Sequence, residues 1–249
     1  MNTHAPEPIT DSSASTIAGS APPTNGRNLA VSGQSLVYSY GSAPALRGIT
    51  VEVARGELLA VTGPSGSGKS TLMLCLAGLL RPDAGEVRLG DRIISTESEA
   101  ARSELRRSEI GVLFQFGQLV AELTAAENVA LPLLLSGVKR KPAIAAATIW
   151  LDRFGVADQA DSRPTQMSGG QGQRVAAARA MVTEPSVLFA DEPTGSLDGL
   201  AGEQVMTQIV RVAREASTTV VVITHDAKVA AYCEREIVVR DGLLEGGVS

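Results

Sequence analysis

Two stretches of this chain carry residues suited to chemistry: GPSGSGKS at Gly63–Ser70 and the adjacent carboxylates Asp191 and Glu192. The first fits the spacing G-x-x-x-x-G-K-[ST], and it stands between an apolar run, LLAVT, and a helix-like run, TLMLCLAGLL. Gly63, Gly66 and Gly68 let a backbone fold back on itself, so that successive N–H groups point inward at a phosphate. The candidate nucleotide-binding stretch therefore comprises Gly63, Pro64, Ser65, Gly66, Ser67, Gly68, Lys69, Ser70 and Thr71. Lys69 would hold the outer phosphates, and the Ser70 hydroxyl would take one position on Mg²⁺. The acidic pair closes VLFADE, an apolar run. Two carboxylates side by side repel, so their position at a strand end suits a cation and a proton acceptor. Asp191 would secure Mg²⁺, and Glu192 would orient and deprotonate an attacking water.

A second glycine-rich turn raises a question. MSGGQGQR, residues 167–174, runs from serine and two glycines into helical sequence. Free N–H groups and the helix dipole at such a start also favour an anion. One nucleotide already has a phosphate loop about a hundred positions earlier, so a second needs a reason.

The elements that must position these residues are readable from hydropathy. Leu58–Thr62, Ser186–Ala190 and Thr219–Thr224 are unbroken apolar runs, which suit parallel strands covered by helices on both faces. ITVEV, by contrast, alternates Ile49, Val51 and Val53 with Thr50 and Glu52, as a half-exposed strand of an antiparallel pair does. Val205, Ile209 and Val212 form an apolar stripe at helical spacing, read as core packing. From Phe116 to Met167 the sequence is rich in Ala and Leu and reads as a helical insertion, with Pro142 suited to a helix start.

Residues 1 to about 28 are rich in Ser, Thr, Ala and Pro, too apolar-poor to offset ordering entropy, and are expected to form a disordered tail. They lack the charged and apolar regions of a signal peptide. The whole chain has 249 residues, of which 44% are hydrophobic, with a formal net charge of -5. That balance argues against non-specific binding to nucleic acid or to an anionic membrane. Cys75 and Cys233 have no His cluster beside them, which fits a reducing compartment better than a zinc site or a disulfide. VALPLLLSGV, Val129–Val138, is far short of the ~18 residues of a membrane span and contains Pro132.

The order GPSGSGKS, MSGGQGQR, VLFADEPTGSLD resembles the ATP-binding cassette (ABC) ATPases across almost everything after the tail. The resemblance implies an α/β P-loop NTPase (RecA-like) core with a mainly parallel sheet, an N-terminal antiparallel β subdomain and an inserted α-helical subdomain. The cassette would span residues 34–247, with the insertion over approximately 116–170. It implies ATP and Mg²⁺ as cofactors and ATP hydrolysis as the activity. Gln115 falls in the family's Q-loop and would touch Mg²⁺ or water. His225 matches its switch histidine, which senses or stabilises the γ-phosphate. Asp198 lies in its D-loop, and Lys69 and Glu192 complete the catalytic set. Tyr40 stands where the family stacks an aromatic ring on adenine. Tyr38 is a neighbouring candidate, expected to point to the other strand face.

The same resemblance answers the question of the second turn. In that family two cassettes face each other head to tail, so Ser168, Gly169, Gly170 and Gln171 would cover the ATP held by a partner, and the resemblance implies that this partner is a second copy of the chain. Met167 replaces the usual Leu, a volume-conserving change. Gly172 lies within the signature helix, where it costs up to about 1 kcal/mol relative to Ala. ENVALPL and ADEPTGSLD are similar to the lipoprotein-release, macrolide-export, cell-division and antimicrobial-peptide-detoxification group. That likeness implies a separate permease of FtsX/MacB-like architecture, docked near Phe116–Asn128, and a location at the cytoplasmic face of the cell membrane. The rival function is a soluble ABC-type ATPase acting on ribosomes or DNA, which the single cassette and lack of a basic block disfavour. A non-hydrolytic regulatory subunit is disfavoured by the presence of Glu192.

Overall fold

In a computed structural model the described residues are Met1 and residues 28–245. The expected tail lies outside them except at its two ends, as do the last residues of the 34–247 segment. Three strands open the fold: β1 (Leu29–Tyr40), β2 (Ala43–Ala54) and β3 (Leu58–Thr62). Helix α1 (Lys69–Leu76) follows the glycine-rich loop. Strands β4 (Ala84–Leu89) and β5 (Arg92–Ile93) precede α2 (Glu99–Ser108) and β6 (Ile110–Leu113). Then come α3 (Ala125–Leu135), α4 (Arg140–Arg153) and α5 (Gly169–Met181). The chain ends in β7 (Val187–Asp191), α6 (Gly199–Ala216), β8 (Thr219–Ile223), α7 (Ala227–Ala230), β9 (Arg235–Arg240) and β10 (Leu243–Glu245).

The strands form two sheets. One has the order β2-β1-β4-β5 and is antiparallel; the other has the order β10-β9-β3-β8-β7-β6. In the second sheet β9, β3, β8, β7 and β6 all run parallel, and only β10 is antiparallel. The continuous apolar runs thus occupy the parallel sheet, where both faces are covered. Alternate residues feed two cores. Leu58, Leu188, Ala190, Val220 and Val222 face a cluster built with α3 to α6, including the Val205, Ile209 and Val212 stripe. Leu59, Val61, Phe189, Val221 and Ile223 face a second cluster shared with α1 and the antiparallel sheet. ITVEV follows the expected alternation, with Ile49, Val51 and Val53 buried in β2.

Local chemistry sets the helix starts. Thr124 caps α3 with its hydroxyl on the Glu127 N–H, and the Glu127 carboxylate reaches back to the Thr124 N–H. Pro132 lies inside α3. Pro142 lies in the first turn of α4, two residues after its start, where a missing N–H removes no helical bond. Cys75 and Cys233 are free thiols, and burial pushes each up to about 12.

Candidate active site

The parallel strands converge chemically because their carboxyl ends share one edge of the sheet. Along that edge Lys69 and Ser70 follow β3, Thr224 and His225 follow β8, Asp191 and Glu192 close β7, and Gln115 follows β6. Strand β8 lies between the strands carrying the lysine and the carboxylates.

The loop before α1 bends through left-handed backbone at Gly63 (φ 135°), Gly66 (φ 78°) and Gly68 (φ 106°). Lys69, almost fully buried, donates from Nζ to the carbonyl oxygens of Gly63 and Pro64, both at 2.8 Å. Its ammonium is therefore folded over the loop, held by acceptors that phosphate oxygens could replace. The buried Ser67 Oγ has no hydrogen-bond partner among the described residues. A cavity of about 340 Å³ opens between this loop and Tyr40, lined by Ala43, Pro44, Ala45, Gly66, Gly68, Lys69, Ser70 and Thr71. Pro64 and Ser65 of the same loop are exposed.

The Ser70 hydroxyl donates to Asp191 Oδ1 at 3.3 Å. Burial raises the Asp191 carboxyl above the usual range; the Ser70 hydrogen bond opposes that rise and the Glu192 charge adds to it. A hydroxyl and a carboxylate oxygen this close form a hard donor pair, which fits Mg²⁺. Among the described residues no cluster of three His, Cys, Asp or Glu could hold a metal, so phosphate or water oxygens would complete such a site.

Glu192 adopts left-handed backbone (φ 46°) and ties its N–H to the Ile223 carbonyl at 2.9 Å. Strain of this kind in a non-glycine residue costs of order 1–3 kcal/mol and gathers at functional sites. Its Oε1 lies 2.7 Å from His225 Nδ1, and its Oε2 accepts from the Thr224 hydroxyl at 3.4 Å. Gln115 is held nearby: its carbonyl accepts from Ser196 Oγ at 3.4 Å, and its side-chain amide and the Glu192 Cβ both pack on Gly195. Lys69, Ser70, Gln115, Asp191, Glu192 and His225 thus come together at one edge.

The signature turn is seated elsewhere. Ser168 caps α5, with Oγ accepting from the Gln171 N–H at 3.3 Å, and Gln171 Oε1 accepts from the Ser168 N–H at 2.8 Å. The Cα positions of Gly169 and Gly170 face Leu197 and Ala201, at the start of α6. Asp198 caps that helix through the Ala201 N–H at 2.8 Å. Among the described residues no hydrogen bond joins Ser168, Gly169, Gly170 or Gln171 to the phosphate loop.

One expectation fails. Tyr38 does not point away from Tyr40: residues two apart on a strand share a face, and the two rings meet edge-on with centroids 4.9 Å apart. Other contributors carry no sequence signal beyond their type. Thr224, the residue before His225, donates its hydroxyl to Glu192 Oε2. Arg179 of α5 donates to the Gly117 and Gln118 carbonyls at 2.6 and 3.0 Å, and Gln173 donates to Phe114 O at 3.1 Å, so the signature helix braces the Q-loop. Val239 and Gly242 approach the phosphate loop from behind, with the Gly242 N–H on the Ser67 carbonyl at 3.0 Å.

Gly172 is the fourth residue of α5 with ordinary helical backbone, and a Cβ there would meet nothing within 4 Å. Gly172→Ala should therefore raise the unfolding free energy by about 0.5–1 kcal/mol, by removing backbone freedom from the unfolded chain. Urea denaturation measures it; a destabilised variant would reveal a contact that this turn must keep open.

A parallel sheet in which β3 runs into this loop, with a histidine after the adjacent strand β8 and carboxylates at the end of β7 beyond it, defines a P-loop nucleoside triphosphatase. Residues 46–195 match the ABC transporter family. The lipoprotein-releasing system ATP-binding protein LolD of Porphyromonas gingivalis is 40% identical over 206 residues, covering 83% of this chain and 94% of that protein. LolD 2 of Caulobacter vibrioides is 42% identical, covering 87% and 96%. The macrolide export ATP-binding/permease protein MacB of Salmonella typhimurium is 45% identical over 79% of this chain but 30% of its own length. Among solved structures, a dimeric ATP-binding cassette in a post-hydrolysis state with ADP and Pi aligns with a TM-score of 0.80 at 35% identity, covering 88% of this chain and 98% of that one. The chain belongs to the ABC transporter family, as an ATP-binding cassette of the LolD/MacB group with ATPase activity.

Proposed function

We propose that two copies of this chain close head to tail over two ATP molecules, and that hydrolysis there drives a separate membrane permease. The observation that carries this reading is the split cage. The phosphate loop with Lys69 lies on one side, while Ser168–Gly170 caps its own helix beside Leu197 and Ala201. A helix start with unsatisfied N–H groups is suited to an anion that a second chain supplies. Two solved structures of a relative are dimeric, one of them with ADP and Pi bound, which supports the pairing of two cassettes.

Within each composite site, Tyr40 stacks on the base and the loop from Gly63 to Thr71 receives the triphosphate. Ser70, Asp191 and Gln115 would hold Mg²⁺, which when bound would neutralise phosphate charge. Glu192 accepts the proton of the attacking water, and His225 orients that carboxylate and meets the γ-phosphate. Asp198 links the two sites across the dimer. Loss of the γ-phosphate removes the anion the two halves share, and they separate.

The permease engages the cassette over Phe116–Asn128. Phe116 is 74% exposed directly after Gln115, an apolar side chain that a protein partner would cover. Its neighbourhood is tied to α5 through Arg179 and Gln173, so movement at the docking face reaches the signature turn. Among the described residues no helix is long and apolar enough to cross a membrane. In this reading the cassette lies at the cytoplasmic face of the membrane through its permease.

Ser168→Arg tests the trans arrangement. The variant should bind a fluorescent ATP analogue as the parent does when monomeric, yet form no ATP-dependent dimer in gel filtration and turn over little ATP. Lost ATP affinity in the monomer would mean that the turn serves its own chain's nucleotide.

A further inference from the structure

Tyr40 ends β1 at the hairpin and is 53% exposed, so nothing in its immediate backbone fixes where its ring lies. Two other side chains do. Tyr38, half-buried against the core that includes Leu72 and Cys75 of α1, meets the Tyr40 ring at 4.9 Å with an interplanar angle of 76°. At the far end of the ring, the Thr71 hydroxyl of α1 donates to the Tyr40 hydroxyl at 3.4 Å. Thr71 thus ties the ring to the helix that opens with Lys69, the cation of the phosphate loop, and Tyr38 ties it to the core that this helix shares. Edge-to-face contact is an attractive aromatic geometry, and it occupies at most one face of either ring. The opposite face of Tyr40 stays available to a nucleotide base.

We infer that Tyr38 is a positioning residue that fixes the Tyr40 ring for base stacking, an inference that rests on the base-stacking reading of Tyr40. The physical effect is preorganisation. A lone exposed tyrosine must give up rotamer freedom when a base stacks on it, whereas one held by Tyr38 and Thr71 has already done so. Because Thr71 belongs to α1 and Tyr38 packs on the core that α1 shares, the ring is tied to the element that carries the phosphate loop's lysine. Tyr38 acts through its ring, not its hydroxyl, and it touches neither phosphate nor water in the reaction.

The test separates base recognition from triphosphate recognition. Calorimetric titrations of the full chain with ATP and with inorganic tripolyphosphate, which has no base, are compared for Tyr38→Leu, Tyr38→Phe and Tyr40→Leu. Tyr38→Leu should weaken ATP binding about 3- to 10-fold and leave tripolyphosphate binding within about two-fold, while Tyr38→Phe retains the parent's affinity for both. KM for ATP should rise with kcat unchanged, as expected for a contact made equally in ground and transition states. Equal losses for ATP and tripolyphosphate in Tyr38→Leu would make the residue a general support of α1 and overturn the inference. So would unchanged ATP affinity in Tyr38→Leu while Tyr40→Leu loses it. If Tyr40→Leu binds ATP as the parent does, the stacking reading itself falls, and the inference with it.

Discussion

Glu192→Gln is expected to lower ATP turnover by about 10²- to 10⁴-fold, the usual worth of a positioned general base. ATP binding should survive, so the ATP-loaded dimer accumulates. The amide has nearly the shape of the carboxylate and can still accept from the Thr224 hydroxyl, which lies 3.4 Å from Oε2. What it cannot do is take a proton from water. Asp191, Ser70 and Lys69 are untouched, so the cation and phosphate contacts remain. Phosphate release under single-turnover conditions and gel filtration with ATP measure the two halves of this expectation. Parent-like turnover would remove Glu192 from the role of base; a monomer with bound ATP would remove the shared-anion dimer.

Gly63→Ala is expected to destabilise the fold by about 3–5 kcal/mol, at the upper end of single-substitution effects. Two independent penalties meet there. The backbone φ of 135° lies where a Cβ is strained in any surroundings, and the added carbon would overlap the Val239 carbonyl oxygen of β9. That oxygen belongs to a strand of the parallel sheet and cannot swing aside as a side-chain tip could. Gly66 is the internal control. Its φ of 78° is also left-handed, but a Cβ there would meet nothing within 4 Å. Gly66→Ala should therefore cost only about 1–2 kcal/mol, the conformational part alone. Chemical denaturation of both variants decides the matter: equal losses would show that close approach of β9 plays no part.

The contrast between these two glycines also marks how far the sequence could be read. GPSGSGKS announces a phosphate loop through residue type and spacing, because backbone N–H groups can ring a phosphate only where glycines permit the bend. Strands β3, β7 and β8 were legible for a similar reason: burial on both faces leaves unbroken apolar runs. The stripe of Val205, Ile209 and Val212 was legible because 3.6-residue periodicity follows from one covered helix face. The signature, D-loop and switch motifs were recognisable in order, though only through their likeness to a family.

Whatever depends on which distant segment comes near was hidden. Sequence does not distinguish Gly63 from Gly66, since the overlap at Gly63 comes from β9, folded in from about 175 residues later in the chain. Tyr38 was expected on the wrong face although strand alternation sets residues two apart on the same one; its contact with Tyr40 became evident only with both rings in position. The hold of Arg179 on the Q-loop carbonyls and of Thr224 on Glu192 likewise joins partners 62 and 32 residues apart. Sequence alone thus determined the chemical groups and the secondary elements that carry them, because side-chain type and periodicity are local properties. Tertiary structure alone decided which groups touch, because backbone approach across the sheet depends on how the whole chain packs and leaves no periodic trace in any one segment.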